Sequence, residues 1–284
     1  MSDTSARIIP LGGNPEQSNS TNGELLIPFR RGDNWGFCKQ DKTIVISAKY
    51  ENCNPFSEGL AAFMQHEKCG YLDATGKVII PAKWDYCGMF KEGYAVVEKK
   101  NKYGYIDKTG KEVIAMTFDD AEDFIDGIAI AAKKDKYGFI DKTGKIVVPL
   151  KFDLVTPFHN GIAFVAKGDE EFCIDMTGNE VPAPETVYFD GLALVLNDDD
   201  QFGFEDESGK LVIPHQFEWA KDFSEGLAAV CIDDLWGFID KTGKIVIPCQ
   251  YEEEVDDFAG GLAMVEIDGE LGYIDKNGTE FWDM

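Results

Sequence analysis

Histidine is almost missing from these 284 residues: only His66, His159 and His215 occur. They sit far apart in the chain, and no His-Glu-x-x-His pattern joins any of them. A histidine-built metal centre therefore has no visible ligand set. The glycine-rich phosphate loops and the Gly-x-Ser-x-Gly nucleophile turn are absent as well, which removes the common signatures of nucleotide binding and acyl transfer. Seven cysteines are present, and none forms Cys-x-x-Cys. No run of 18 apolar residues exists, so a membrane-spanning helix is not expected. The amino-terminal stretch carries Asp3 early, and its apolar cluster is broken by Pro10 and Gly12. It is not a signal-peptide core. These absences predict a cytoplasmic, non-enzymatic protein with no cofactor, no metal and no membrane partner.

Positive charge is scarce in one half only. Residues 1–142 contain 19 Lys/Arg against 21 Asp/Glu, while residues 143–284 contain 8 against 31. The net charges are −2 and −23, which account for the −25 of the whole chain. Phosphate repels such a surface, so nucleic acid is disfavoured as a partner and a basic protein is favoured.

What fills the chain is a repeat. A central Gly flanked by aromatic residues recurs at Gly36, Gly70, Gly104, Gly138, Gly203, Gly237 and Gly272, with Phe172 in the eighth place. Most neighbours are 34 residues apart. After it comes a turn such as Asp141-Lys142-Thr143-Gly144-Lys145. A β-branched run ending in Pro follows, such as Ile146-Val147-Val148-Pro149, and then an aromatic-acid pair such as Phe152-Asp153. The unit closes on Gly, an apolar residue and Ala, the last at Ala61, Ala95, Ala129, Ala163, Ala193, Ala228 and Ala263.

Each piece predicts a local structure. Asp-x-Thr-Gly is a tight turn, in which Gly supplies the positive φ. Because turns repeat, the repeated Asp reads as structural. The β-branched runs read as strands that stop pairing at Pro. Short apolar runs such as Leu227-Ala228-Ala229-Val230 read as strands buried on both faces. The constant Ala implies a place where repeats approach too closely for a larger side chain. Cys38, Cys53, Cys87, Cys173 and Cys249 fall on core positions that other copies fill with small or apolar residues, so they read as core packing.

Counting strands gives four per unit: the aromatic-acid stretch, the Gly-apolar-Ala stretch, the anchor, and the run ending in Pro. Short links join them into an up-down meander, the construction of a propeller blade. The expected fold is all-β, a β-propeller of seven or eight blades, with an open β-solenoid as the alternative. The first strand of the first unit is either Arg7 to Leu11 or missing. Residues 1–23 read as a flexible amino-terminal segment, with a single repeat domain over 24–284.

The string Trp/Tyr-Gly-Phe-Ile-Asp-Lys-Thr-Gly-Lys, with a later Phe-x-Glu-Gly-Leu-Ala, resembles the WG (KWG) repeat of bacterial proteins. The resemblance covers about residues 24–284, is strong at Ser57 to Ala61 and Ser224 to Ala228, and is poor over 171–191. It implies a β-rich interaction scaffold and carries no catalytic residues.

The function then has to be sought where the repeat varies. The loop between the second and third strands reads EKKNK at 98–102 and KKDK at 133–136. Later copies read GDEE at 168–171, NDDD at 197–200, IDD at 232–234 and IDGE at 267–270. Two residues after the strand-a aromatic the copies hold Asn52, Tyr86, Asp120, Leu154, Trp219 and Glu253, while the next position stays small or apolar in five of them. Such alternation marks the variable residues as exposed, and Tyr and Trp there suit a protein interface. The expected recognition residues are Tyr86, Asp120, Leu154, Trp219, Glu253, Asp198, Asp199, Asp200, Asp233 and Asp234. They predict an otherwise monomeric protein-interaction module for a basic partner, in its most specific form an immunity protein or inhibitor covering a nuclease-type toxin. A ligand- or glycan-binding propeller using Tyr86 and Trp219 is the alternative.

Overall fold

The computed structural model describes residues 20–21, 24–267 and 269–282. Among them every regular element is a β-strand. Eight successive antiparallel sheets follow the repeat, here numbered in chain order. Sheets 2 to 5 lie in one compact unit, residues 50–183. Sheet 2 is typical: Asn52–Cys53, Leu60–Gln65, Lys68–Asp73 and Val78–Trp84, each paired with the next. Sheet 3 runs Tyr86–Cys87, Tyr94–Glu98, Tyr103–Asp107 and Glu112–Phe118. Sheets 4 and 5 span Asp120 to Phe152 and Leu154 to Val181. The other unit includes 14–49 and 184–284. It holds sheet 1 (Ile27 to Tyr50), sheet 6 (Leu192 to Phe217), sheet 7 (Trp219 to Tyr251) and sheet 8 (Leu262 to Asp275). A four-stranded meander in chain order, repeated, is the blade of a β-propeller, and that is the fold class of this chain.

The anchor glycine explains the blade. In sheet 7 the fourth strand pairs at Phe238↔Ile247 and again at Trp236↔Tyr251, so extra residues are looped in opposite Gly237. A Cβ on Gly237 would lie 2.6 Å from the Cys249 nitrogen and 2.7 Å from the Ile247 oxygen, so any side chain there would strike backbone. Gly36, Gly70, Gly104, Gly138 and Gly203 are crowded in the same way. This corrects the expectation that pairing ends at Pro. Pro81 lies inside Val78–Trp84, and the strand continues to pair as far as Cys69↔Trp84. A bulge tolerates a residue with no N–H, which is why Pro fits there. His215 likewise lies within a strand, Leu211–Phe217.

The expected turn and core are found. In Asp73-Ala74-Thr75-Gly76, the Asp73 carboxylate accepts from the Thr75 hydroxyl at 2.6 Å, from Thr75 N–H at 2.9 Å and from Lys77 N–H at 3.1 Å. These bonds hold its pKa below the ordinary range, the hydroxyl contributing most. The repeated Asp is therefore committed to the backbone. Leu227 to Cys231 is buried throughout. Every one of the seven repeated alanines is at most 2 % exposed.

A second device links some sheets to those that follow within the same unit. Glu58, in the turn before the second strand of sheet 2, accepts from Gly93 N–H of sheet 3 at 3.0 Å. Lys108, fifty residues on, reaches the Glu58 carboxylate at 2.9 Å and its carbonyl at 3.0 Å. Glu92 with Gly127 and Lys142 repeats this, as does Glu225 with Gly261 and Lys276. Where Asp126 replaces Glu, Met176 stands fifty residues on.

The irregular stretch has a cause. Phe172 occupies the anchor glycine position, and the fourth strand of sheet 5 shrinks to Glu180–Val181. Sheet 6 has three strands. At sheet 8, Trp282 packs over Gly272 in place of a bulged strand, and Arg30 N–H of sheet 1 donates to the Phe281 carbonyl at 3.2 Å.

The cysteines need one correction. Cys69 and Cys87 form a disulfide between sheets 2 and 3, so Cys87 is more than a core filler. Cys38, Cys53, Cys173 and Cys231 are free and buried, and Cys249 is free and half-buried. The candidate strand at Arg7 to Leu11 lies outside the described residues. So does the expected flexible segment 1–23, apart from Ser20–Thr21, which pairs with Glu24–Leu25.

Candidate protein-interaction surface

Outside sheet 6, where Leu196 pairs with Phe202 across the longer loop 197–201, the variable turns between second and third strands are two-residue hairpins. In sheet 7, Ile232 pairs with Leu235, and Asp233 and Asp234 between them both have positive φ. Lys100–Asn101 and Lys134–Asp135 have the same backbone. Such primed turns match the strand twist and leave both central side chains in solvent. Their sequence is free to change without disturbing the ladder.

The acid of the aromatic-acid pair caps the turn in five copies, Glu51 among them, which accepts from His66 N–H at 2.8 Å. Asp85 accepts from Lys100 N–H and Asp119 from Lys134 N–H, both at 2.7 Å. Asp153 accepts from Gly168 N–H at 2.8 Å, and Glu218 from Asp234 N–H at 3.1 Å. These carboxylates are structural, a role that period alone did not assign.

A lysine neutralises the cap in three copies. Lys68 pairs with Asp85, Lys102 with Asp119 and Lys136 with Asp153. The lysine side chain is the main reason all three carboxyl pKa values are lowered. Each lysine lies two residues before the anchor glycine. Later copies hold Glu170, Gln201, Leu235 and Glu270 there. Glu218 keeps its backbone bond, but Gln201 and not lysine occupies the place of its partner. The rise in negative charge is thus a loss of compensating cations as well as a gain of acidic turn tips.

The expected recognition residues fall in both units. Tyr86, Asp120 and Leu154 open the first strands of sheets 3, 4 and 5. Tyr86 is 47 % exposed. Asp120 and Leu154 are only half-buried, and Asp120 accepts from the Tyr137 hydroxyl at 3.3 Å. Trp219 opens the first strand of sheet 7 and is 62 % exposed. Glu253 is exposed but belongs to no strand, a departure from the expected strand position. Asp198, Asp199, Asp200, Asp233 and Asp234 are all exposed.

Trp219 has a defined setting. Its ring stacks on Phe202 at 5.9 Å between centroids, with 30° between planes. Phe202 pairs across its hairpin with Leu196, which is 53 % exposed. Asp198, Asp199 and Asp200 form the tip of that same hairpin, held by Asn197 Oδ1, which accepts from Asp199 N–H at 3.0 Å and Gln201 N–H at 2.9 Å. An exposed apolar patch is thereby bordered by acids.

Half-buried acids occur in the loops before the second strands. Asp123 is raised by burial although Lys91 lies 3.2 Å away. Asp222 is raised to about 6 by burial and by Asp257; Asp257 is raised to about 6 chiefly by burial, against the pull of Lys221. Sequence reasoning missed them, because nothing in the period distinguishes a half-buried loop acid from a solvated one. No group of three or more His, Cys, Asp or Glu among the described residues has the arrangement of a metal site.

No curated protein matches the chain. Among solved structures, BamB from Moraxella catarrhalis aligns at 13 % identity and a TM-score of 0.48, covering 97 % of this chain and 92 % of that one. A eukaryotic initiation factor aligns at 10 % identity and TM-score 0.45, covering 90 % and 83 %. Hsv2p of Kluyveromyces lactis aligns at 9 % and 0.45, covering 80 % and 93 %. The WG containing repeat matches six times, at residues 35–69, 70–103, 103–137, 137–170, 202–236 and 236–270. The gap after 170 begins where Phe172 breaks the anchor. With six copies across most of its length, the chain belongs to the WG-repeat family.

Proposed function

We propose that this repeat protein is a binding module for a basic protein surface, engaged through the acidic carboxy-terminal half. In its most specific form it is an immunity protein or inhibitor that covers the phosphate-binding site of a nuclease-type toxin. The observation that carries the reading is the exchange at one repeat position. Lys68, Lys102 and Lys136 neutralise caps in sheets 3 to 5, whereas Glu170, Gln201, Leu235 and Glu270 follow in the later copies. The scaffold residues persist while the tips change sign, as expected of function grafted on a fold.

Long-range charge acts mostly on association rate. Neutralising Asp198, Asp199, Asp200, Asp233 and Asp234 to Asn is expected to slow capture of the partner about tenfold or more at low salt, with little change at high salt. Neutralising Lys99, Lys100, Lys133 and Lys134 to Gln is expected to matter far less. Partner identification by pull-down from the host comes first, and stopped-flow association then measures both variants. Equal rates for wild type and the aspartate variant at low salt would reduce the acidic half to a solubility device.

A further inference from the structure

We infer that Trp219 is a stacking platform for an arginine side chain of the basic partner, an assignment that rests on the function proposed above and names its anchor. Among the described residues Trp219 has the highest exposure of the exposed large hydrophobic residues, at 62 %. One side of its ring rests on Phe202, which fixes its orientation. The remaining surface is open, and Leu196 extends the patch. A held aromatic ring loses little freedom when a partner covers it, so it is preorganised for binding.

Charge selects the occupant. The segments 196–202, 218–219 and 231–235 contain Asp198, Asp199, Asp200, Glu218, Asp233 and Asp234, and no lysine or arginine. A purely apolar partner would gain nothing from these acids and a neutral sugar little. A cation gains from the ring face and the carboxylates together. Arginine suits the pair better than lysine: its planar, weakly hydrated guanidinium stacks on the ring and still offers N–H groups to carboxylates at the edge. The equivalent Tyr86 cannot serve in the same way. Lys83 and Lys99 both lie over the neighbouring Trp84 ring, at 4.7 and 5.5 Å, and Lys100 stands in the adjoining turn.

The test uses the full chain labelled with 5-fluorotryptophan. It has five tryptophans, and Trp219→Phe assigns the resonance. Two peptides of equal length and charge, one with four arginines and one with four lysines, are titrated at low salt. The arginine peptide is expected to shift the Trp219 signal and to bind about fivefold or more tighter than the lysine peptide. Trp219→Ala is expected to abolish that preference and leave a weaker, salt-sensitive attraction to both. The five-aspartate variant is expected to weaken both peptides alike. An unmoved Trp219 signal, equal affinities, or a preference that survives Trp219→Ala would each overturn the assignment. In those cases salt-sensitive binding lost in the aspartate variant would leave the broader reading standing. Failure of both peptides to bind wild type would overturn both.

Discussion

Tyr86 and Trp219 hold the same place in the repeat and live in opposite surroundings. Each follows an aromatic-acid pair and opens the first strand of its sheet, Tyr86↔Glu98 in one and Trp219↔Cys231 in the other. Around Tyr86 the cap Asp85 carries Lys68, and the turn tip is Lys100–Asn101. Around Trp219 the cap Glu218 has Gln201 where that lysine would be, and the turn tip is Asp233–Asp234. The ladders beneath are superimposable in register, Val97↔Gly104 in one and Val230↔Gly237 in the other. Two layers of selection are therefore visible in one chain. The buried layer is constrained by sterics and repeats; the turn tips are not, and there the charge reverses.

That separation predicts equal damage to both sheets when the buried layer is changed. Gly104→Ala and Gly237→Ala each drive a methyl into backbone at 2.6 Å. Each is expected to cost at least the upper end of the usual overpacking range of about 1–3 kcal/mol, because backbone cannot swing aside as a side chain can. Urea denaturation followed by circular dichroism measures both. A large cost at Gly104 with none at Gly237 would mean that the two sheets do not share one construction.

A gentler probe of the same layer is Ala163→Leu against Ala228→Leu. Both alanines are at most 1 % exposed and lie on second strands in different units. Each substitution is expected to destabilise by about 1–3 kcal/mol. A wild-type melt in either variant would show slack in that repeat, and the comparison would then turn on packing as well as charge.

Much of this construction was legible because it repeats. The turn Asp, the constant Ala and the anchor Gly each recur at a fixed offset, so their positions declared strands, core and close approach. The break at Phe172 was also visible, and its physical reason is that in the other copies even a Cβ at the anchor position would meet the backbone of the bulged strand. The proline was misread because its missing N–H signals an end of pairing unless a bulge is already there, and the bulge exists only because of a glycine on the neighbouring strand. The Lys108–Glu58 contact escaped notice although its signal was present: the Glu at 58, 92 and 225 has a Lys fifty or fifty-one residues on, while Asp126 has Met176. The Cys69–Cys87 bond had no such signal. It joins two different repeat positions in neighbouring sheets, and no other copy carries the pair. Of the candidate surface, the charge was plain from composition. The stacking of Trp219 on Phe202 was not, since it joins residues 17 apart on adjacent sheets.

The loop before the second strand offers the finest version of the comparison, because there the same position carries acids in unlike company. In sheet 4 it holds Asp123, which faces Lys91 at 3.2 Å. In sheet 7 and before sheet 8 it holds Asp222 and Asp257; Asp257 raises Asp222, and Lys221 is turned toward Glu254 at 2.8 Å. Both aspartates titrate at about 6 in the folded chain, against an ordinary value of 3.8. The folded state therefore binds protons more readily than the unfolded chain between about pH 4 and pH 6. Stability from this pair is gained as pH falls through that window and lost as pH rises through 6. Asp222→Asn removes the repulsion and is expected to raise Tm at pH 7.5 by roughly 2–4 °C, the shift of about 1 kcal/mol in a chain of this size, and to have little effect at pH 4.5. Because the pair is partly solvated, the effect stays well below that of the glycine substitutions. Differential scanning calorimetry at the two pH values separates the contributions. An equal rise at both would trace the gain to side-chain packing, and no rise at pH 7.5 would show that water already screens the two carboxylates from each other.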